Sequence, residues 1–449
     1  MLSKIDTTDK GETETTPERW PLLKPDLSSR LWKVVISQKK HIQNLSVLVF
    51  VNFLIAVLGF LTRVKIANTL GREGFGLFAY ALALGSYGAV IVRFGLGRTF
   101  VRDLVHYPSR FAQLVAGSLV LRGLLLVVVI LALVSWKLTF ASSELSWSVI
   151  AVVLGTSLMA LDLCAVYDSW HKMSRDAVYN LIQRCCYYSL IWIVVLFVPD
   201  KLSIGLIGVG TILSAVLYLF MQQRWAFRRI EFYKAKESLA KAAIKLGFAN
   251  LLVWAATIGC LSFGVLNQLV LKYFRGNAEL GGYAAAWQIV AVAMLLLNQV
   301  ARIGKPATAR ITREGTDKNT RRRFLLKYSA VMFATASPIA LGAILWPDVI
   351  LKVLFRPEYA PAAGALRILG IYIALFSLGL VASQYVIAAR MEKVYFASVI
   401  VGGILSVLFC FFLIPKLGGM GAAISLLIAH GISMGLYSVA MVLHIRNQE

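Results

Sequence analysis

Apolar runs of about twenty residues follow one another along the chain from residue 46 to residue 443, separated by short basic or turn-rich stretches. A helix rises about 1.5 Å per residue, so runs of this length cross roughly 30 Å of hydrocarbon. Read on this pattern, spans fall at 46–69, 75–96, 112–135, 147–167, 179–198, 204–222, 246–270, 283–303, 325–346, 365–389, 395–414 and 419–443. The expected fold is all-α, a polytopic membrane protein of about twelve transmembrane helices. Ahead of the first run, Met1 to about Ser37 is polar and is expected to be disordered, with no cleavable signal peptide. Ser28 and Ser29 are expected to cap a short basic helix carrying Arg30, Trp32, Lys33, Lys39 and Lys40 along the inner membrane surface.

Composition sharpens this picture: 59% of residues are hydrophobic, above the share usual in soluble domains. The formal net charge is +24, from 46 Lys and Arg against 22 Asp and Glu. In a soluble chain that balance points to nucleic acid. Here the cations sit between apolar runs, so anionic membrane lipids and orientation are the expected reading, and no nucleic-acid partner. With the N-terminus inside, the inner segments hold 34 Lys and Arg against 11 outside, with Arg122 left within a span. Both termini are therefore expected in the cytoplasm, in a cell membrane. The two most basic inner loops are 224–245 and 302–327. The first reads as an amphipathic interfacial linker, and either contacts lipid headgroups or meets substrate.

A weak internal repeat divides the chain. Gly76-Leu77-Phe78-Ala79 resembles Gly281-Gly282-Tyr283-Ala284 at a shift of 205, and the same shift carries Arg122 to Lys327. Pro199 to Gly205 resembles Pro415 to Gly421. Two six-helix halves begin on the same side, so they are expected as parallel repeats about an axis along the membrane normal, enclosing a central cavity. The expected divisions are a cytoplasmic tail (1–43), an N-terminal lobe (44–223), a basic linker (224–245) and a C-terminal lobe (246–449).

Charge inside a span is costly and usually faces a cavity or snorkels to an interface. Arg63 and Lys65 lie late in the first span, two residues apart, and so point about 200° from each other. One of them is expected to face the cavity, Arg63 being favoured. Arg122 interrupts the third span, and Arg98, Arg102, Arg302 and Lys305 fringe the inner mouth. Lys272 and Arg275 fringe the outer end of the seventh span. Arg63, Arg98, Arg302, Lys272, Lys65 and Arg122 are the candidate substrate-binding residues. A ring of such cations suits a phosphorylated headgroup, which Arg meets in bidentate fashion and Lys as a point charge. Asp162 and His430 are the isolated titratable groups within spans, and Gly431 to Gly435 gives a GxxxG spacing suited to close helix packing. The five cysteines form no CxxC pair, and the chain has no P-loop, Rossmann fingerprint, nucleophile elbow or zinc motif. It is expected not to be an enzyme and to use no cofactor or metal.

Gly59-Phe60-Leu61-Thr62-Arg63-Val64-Lys65-Ile66-Ala67-Asn68-Thr69-Leu70-Gly71-Arg72-Glu73-Gly74-Phe75-Gly76-Leu77-Phe78-Ala79 resembles the opening of polysaccharide repeat-unit flippases. These are members of the multidrug/oligosaccharidyl-lipid/polysaccharide exporter superfamily. Phe94 to Arg98, Gly282 to Ala286, Pro306 to Arg310 and Leu413 to Ile424 are similar to later steps of the same pattern, so the resemblance runs over nearly all of 40–443. It implies two six-helix lobes around a cavity that carries a polyprenyl-diphosphate-linked glycan across the membrane. It also implies possible partners in a polysaccharide polymerase and export machinery. Arg63 falls where the family commonly has an arginine. One departure is Leu266-Asn267-Gln268, where the family often has Ile-Asp. Two other readings stay open: a multidrug antiporter, which needs buried acids, and a membrane polymerase or glycosyltransferase, which needs a large polar outer loop.

Overall fold

A computed structural model of the chain describes residues 27–139, 146–230, 232, 238–312 and 317–446. The chain falls into two compact units, Met1–Val47 and Leu48–Glu449. In the first, the described backbone is helical from Leu27, while the polar stretch before it and the side chains of the expected basic helix lie outside the described residues. The helices in chain order are α1 Leu27–Arg93, α2 Arg98–His106, α3 Phe111–Thr139, α4 Trp147–Leu158, α5 Cys164–Ser169 and α6 Met173–Phe197. They continue as α7 Ile204–Phe227, α8 Leu239–Ser262, α9 Val265–Ile311, α10 Lys318–Leu345, α11 Pro347–Leu354, α12 Ala363–Ala388 and α13 Glu392–Arg446. Among the described residues there is no strand, and ten helical segments are long and apolar enough to cross a membrane. The protein is an all-α, multi-pass membrane protein.

Side-chain caps begin several helices. Ser146 accepts from the Val149 N–H (3.3 Å), Ser203 from Leu206 (3.3 Å) and Asp317 from Thr320 (3.0 Å), each relieving an orphan amide of the first turn. The Thr320 N–H also holds the Asp317 carboxyl below the usual carboxylate range.

Three helices are too long for one crossing, and each folds at a single glycine in the left-handed region: Gly71 (φ 71°) in α1, Gly276 (φ 80°) in α9 and Gly418 (φ 57°) in α13. Only glycine reaches that conformation without steric cost. Gly71 lies at the turn expected from the sequence. Gly276 likewise falls within the loop expected at 271–282, which is helical on both sides of this one residue.

Gly71 and Gly276 are 205 residues apart, the shift of the sequence repeat. The two folds also meet. A Cβ built on Gly76 would lie 1.8 Å from the Asn277 carbonyl oxygen, and one on Gly281 would lie 1.8 Å from the Arg72 carbonyl oxygen. The pairs 72/277 and 76/281 obey the same shift, so the contact is reciprocal about a local pseudo-two-fold axis. We call this the glycine end.

Toward the opposite end, α8 lies against the first half. Ala242 and Ala243 pack on Gly117, and Trp254 stacks on Phe94 with ring centroids 4.8 Å apart. Of the GxxxG pair, Gly431 meets only the Leu375 side chain (3.4 Å from a built Cβ), and nothing lies within 4 Å of a Cβ built on Gly435, so the spacing brings no backbone close. Instead Gly402 admits Ser433, whose hydroxyl donates to the Ser398 carbonyl (2.8 Å), fastening the two legs of α13.

Arg122 is 2% exposed and bonds backbone. The fourth span breaks after Leu158 into a 3-10 turn and restarts at Cys164, freeing carbonyls. Arg122 donates to those of Asp162 (2.7 Å) and Ala160 (3.4 Å), and to that of Leu96 (3.0 Å). Arg122→Ala orphans these acceptors, at a cost of roughly 3 kcal/mol or more. Thermal unfolding in detergent is expected to show a clear drop in Tm, with Arg122→Lys recovering part of it. An unchanged Tm for the alanine variant contradicts this assignment.

Candidate functional site

The two halves close on each other at the glycine end through a set of polar ties. Tyr359 donates to the Ala67 carbonyl (2.9 Å), and Asn68 to that of Leu354 (3.1 Å). Arg72 pairs with Glu279 at 2.9 Å, both partly buried. Glu279 also reaches a second partner, because its other oxygen accepts from the Gly419 N–H (3.0 Å), at the start of the second leg of α13. Arg275 donates to the Lys416 carbonyl (2.8 Å) and that of Ile414 (3.5 Å), at the end of the first leg. An acid on the helix N-terminus and a base on the C-terminus each match the helix dipole. Sequence reasoning passed over Glu279. The available signal was an acid between two glycine-marked helix legs.

Just inside this closed end lies a cavity of about 220 Å³ between the halves. The second leg of α1 lines it through Phe75, Phe78, Ala79, Leu82, Ala83 and Ser86, a three- and four-residue spacing that keeps one helix face on the cavity. From the second half come Gln268, Ala284, Trp287 and Gln288. Arg63 enters from the first leg of α1 and donates to the Gln288 side-chain oxygen at 3.1 Å. Gln268 also lies 205 residues from Arg63, so the two face the cavity from pseudo-equivalent positions. No carboxylate lines this cavity.

Behind Trp287, which walls both spaces, the second half holds a cavity of about 410 Å³. An aromatic cluster forms part of its wall: Trp287 stacks toward Tyr372 (6.3 Å between centroids), and Tyr372 and Phe263 both abut His430, at 5.2 and 4.4 Å. Phe263 and Gly264, the break between α8 and α9, also line it, so a bend in this span changes the chamber.

The other candidate cations do not gather into a ring. Lys65 is absent from the cavity wall. Lys272 is 7% exposed, with its ammonium 4.2 Å from the Tyr80 ring centroid, an inter-half cation–π contact. Arg122 is taken up by carbonyls of the first half, and Arg302 is exposed far along the second leg of α9. The side chain of Arg98 lies outside the described residues. The reason is energetic: a cation at hydrocarbon depth is drawn to backbone oxygens or aromatic faces unless a cavity is at hand. Asn267, where the resemblance anticipates an acid, is fully buried; it donates to the Ala422 carbonyl (3.2 Å) and accepts from Cys410 Sγ (2.8 Å) and Ser406 (3.3 Å). It is a neutral packing node.

Residues 41–311 match a family described as polysaccharide biosynthesis protein. A candidate O-antigen transporter of Escherichia coli K12 is 22% identical over 427 residues, covering 92% of this chain and 98% of that one. A probable flippase of Haloferax volcanii is 24% identical, covering 69% and 64%. Among solved structures, the lipid II flippase MurJ in an inward closed conformation superposes with a TM-score of 0.68 at 14% identity, covering 88% and 87%. An inward-facing multidrug resistance MATE family transporter gives 0.68 at 15% identity, covering 86% and 94%. These structures share the fold.

Proposed function

The chain belongs to the polysaccharide biosynthesis protein family, and on that premise we propose that it is a flippase for polyprenyl-diphosphate-linked oligosaccharide repeat units. The observation that carries this reading is the cavity of Arg63, Gln288 and Gln268 at the closed end of an inter-half cleft, opening beside an aromatic chamber. A diphosphate needs a guanidinium and neutral donors. Sugar rings, apolar on their faces, suit Trp287 and Tyr372. The polyprenyl tail stays in lipid while the headgroup crosses.

Counting each glycine-folded helix as two crossings, and α8 with the first leg of α9 as one, yields twelve. The termini then share one side. The excess of Lys and Arg on that side puts it in the cytoplasm of a cell membrane. On this reading the two six-helix lobes, 44–223 and 246–449, rock against each other, and the glycine end is the gate that seals the site from the outer side. The sequence candidates Arg98 and Arg302 would draw the anionic headgroup in from the cytoplasmic side. The relatives named as transporter and flippase agree with a carrier that performs no covalent chemistry. A polymerase and export machinery would receive the product.

The test is reconstitution. Proteoliposomes loaded with a fluorescent lipid-linked oligosaccharide should move it between leaflets at a rate well above protein-free vesicles. A drug-efflux activity coupled to a cation gradient, with no lipid-linked glycan movement, would instead establish the antiporter reading. That reading lacks the carboxylate an organic cation needs in this cavity.

A further inference from the structure

At the end of the first half opposite the glycine folds, away from the cleft, α6 and α7 hold a basic aromatic site that the transport reading does not use. Its centre is Trp225. The guanidinium carbons of Arg229 and Arg175 lie 4.0 and 4.5 Å from its ring centroid. Tyr167 stacks on the same ring at 5.0 Å and Trp170 meets it edge-on at 5.7 Å, with Phe111 stacked on Trp170 in turn. This aromatic packing fixes the indole, and the indole fixes the two guanidiniums.

Two cations drawn to one ring repel each other unless an anion joins them. None of Lys172, Arg175, Arg228 and Arg229 is ion-paired with a described carboxylate. Asp176, next to Arg175 in the chain, instead accepts from Tyr218 and the Gln222 amide, both at 2.8 Å. The buried indole nitrogen of Trp225 also has no hydrogen-bond partner. Apart from a long bond from Arg229 to the Trp225 carbonyl (3.5 Å), these donors and their positive charge meet no acceptor among the described residues.

Its shape selects the ligand. A cavity of about 700 Å³ is lined by Phe220 and Met221 together with Arg224, Arg228 and Arg229, with the Arg224 guanidinium 5.7 Å from the Phe220 ring centroid, so apolar and cationic groups share its wall. A second, of about 400 Å³, adds Lys172, Arg175 and Trp170 around the same indole. Val178, Ile182, Val216 and Phe220 are exposed large hydrophobics on the surfaces of α6 and α7. A free phosphate has no use for that apolar run; an amphiphile does.

We propose that this site binds the phosphate of an anionic membrane lipid, with its acyl chain along α6 and α7 and its headgroup held by Arg175 and Arg229. It does not rest on the flippase reading, because it uses neither the cleft nor Arg63.

The experiment is native mass spectrometry of the purified full-length protein in detergent, titrated separately with phosphatidylglycerol, phosphatidylcholine, a polyprenyl phosphate and inorganic phosphate. Phosphatidylglycerol is expected to bind well above phosphatidylcholine. Arg175→Gln/Arg229→Gln is expected to weaken it roughly thirtyfold, from about 1 kcal/mol per cation near a membrane surface. Arg322→Ala/Arg323→Ala, an equal loss of charge elsewhere, should leave it unchanged. Should the glutamine pair fail to yield monodisperse protein, Lys172→Ala/Arg228→Ala carries the same expectation. Stronger retention of the polyprenyl phosphate, lost in the same variants, also supports a lipid-phosphate site and names the carrier lipid as its source. Equal retention of phosphatidylglycerol in wild type and site variants, or occupancy by inorganic phosphate with no lipid retained, overturns the proposal.

Discussion

Arg63→Ala is expected to reduce transport of the lipid-linked glycan by one to two orders of magnitude. The guanidinium is held at the cavity wall by a single 3.1 Å bond to the Gln288 oxygen, which leaves most of its donors free for a ligand. Hydrogen bonds to a charged group contribute about 1.5–3 kcal/mol each, and in a low-dielectric cavity the phosphate has few other donors to turn to. Losing one such interaction corresponds to roughly 10–150-fold. Arg63→Lys keeps the charge but not the fork, and should fall between. Gln268→Ala, at the pseudo-equivalent position, removes a neutral donor and should cost several-fold. The measurements are the initial rate in proteoliposomes and surface polysaccharide in a flippase-deficient strain at matched protein levels. Wild-type rates for Arg63→Ala would take this residue out of the mechanism.

Arg63 was legible in the sequence because an arginine within an apolar run has few places to be, and the 200° separation from Lys65 already made one of the pair the better cavity residue. Arg122 gave the same signal and has a different fate. What decides between them is the set of free carbonyls left where the fourth span breaks at 159–163, and no single-sequence pattern announces that break. The multi-pass helical architecture was legible from the apolar runs, but how sharply the chain folds at Gly276 was not. Hydropathy finds membrane runs, but Lys272 and Arg275 depress it across a segment that is helical because Tyr80 and the carbonyls of Ile414 and Lys416 receive those charges. The repeat held the missing information: adding its shift to Gly71 lands on Gly276. Glu279 has glycine, Gly74, as its repeat partner, so symmetry could not point to it. Its importance comes from breaking that symmetry, since one carboxylate ties Arg72 of the first half to the Gly419 amide of the second.

Gly281→Ala is expected to prevent the glycine end from closing. The added methyl carbon would lie 1.8 Å from the Arg72 carbonyl oxygen, 2.9 Å from its carbonyl carbon and 3.0 Å from the Gly76 nitrogen. All three are backbone, so no rotamer relieves the clash, and non-bonded carbon contacts favour about 3.5–4.0 Å. The two helices must separate by more than an ångström, which loosens the reciprocal Gly76 contact and stretches the Arg72–Glu279 pair. Overpacking of this kind costs about 1–3 kcal/mol, and a rigid backbone contact belongs at the top of that range, a shift of roughly a hundredfold away from the closed arrangement. Gly76→Ala should act alike, since it meets the Asn277 carbonyl at the same 1.8 Å. Glu279→Gln removes charge without adding volume and should shift the equilibrium less. Gly435→Ala is the control: it too sits in a helix, but nothing lies within 4 Å of its built Cβ, so it should be neutral or slightly stabilising. Spin labels on the exposed positions 73 and 352, in a background without the native cysteines, report the separation of the halves by pulsed dipolar spectroscopy. The two clashing variants should lengthen and broaden that distance and slow transport together, while Gly435→Ala does neither. If Gly281→Ala keeps the wild-type distance and rate, the glycine end is not the gate at which the halves close.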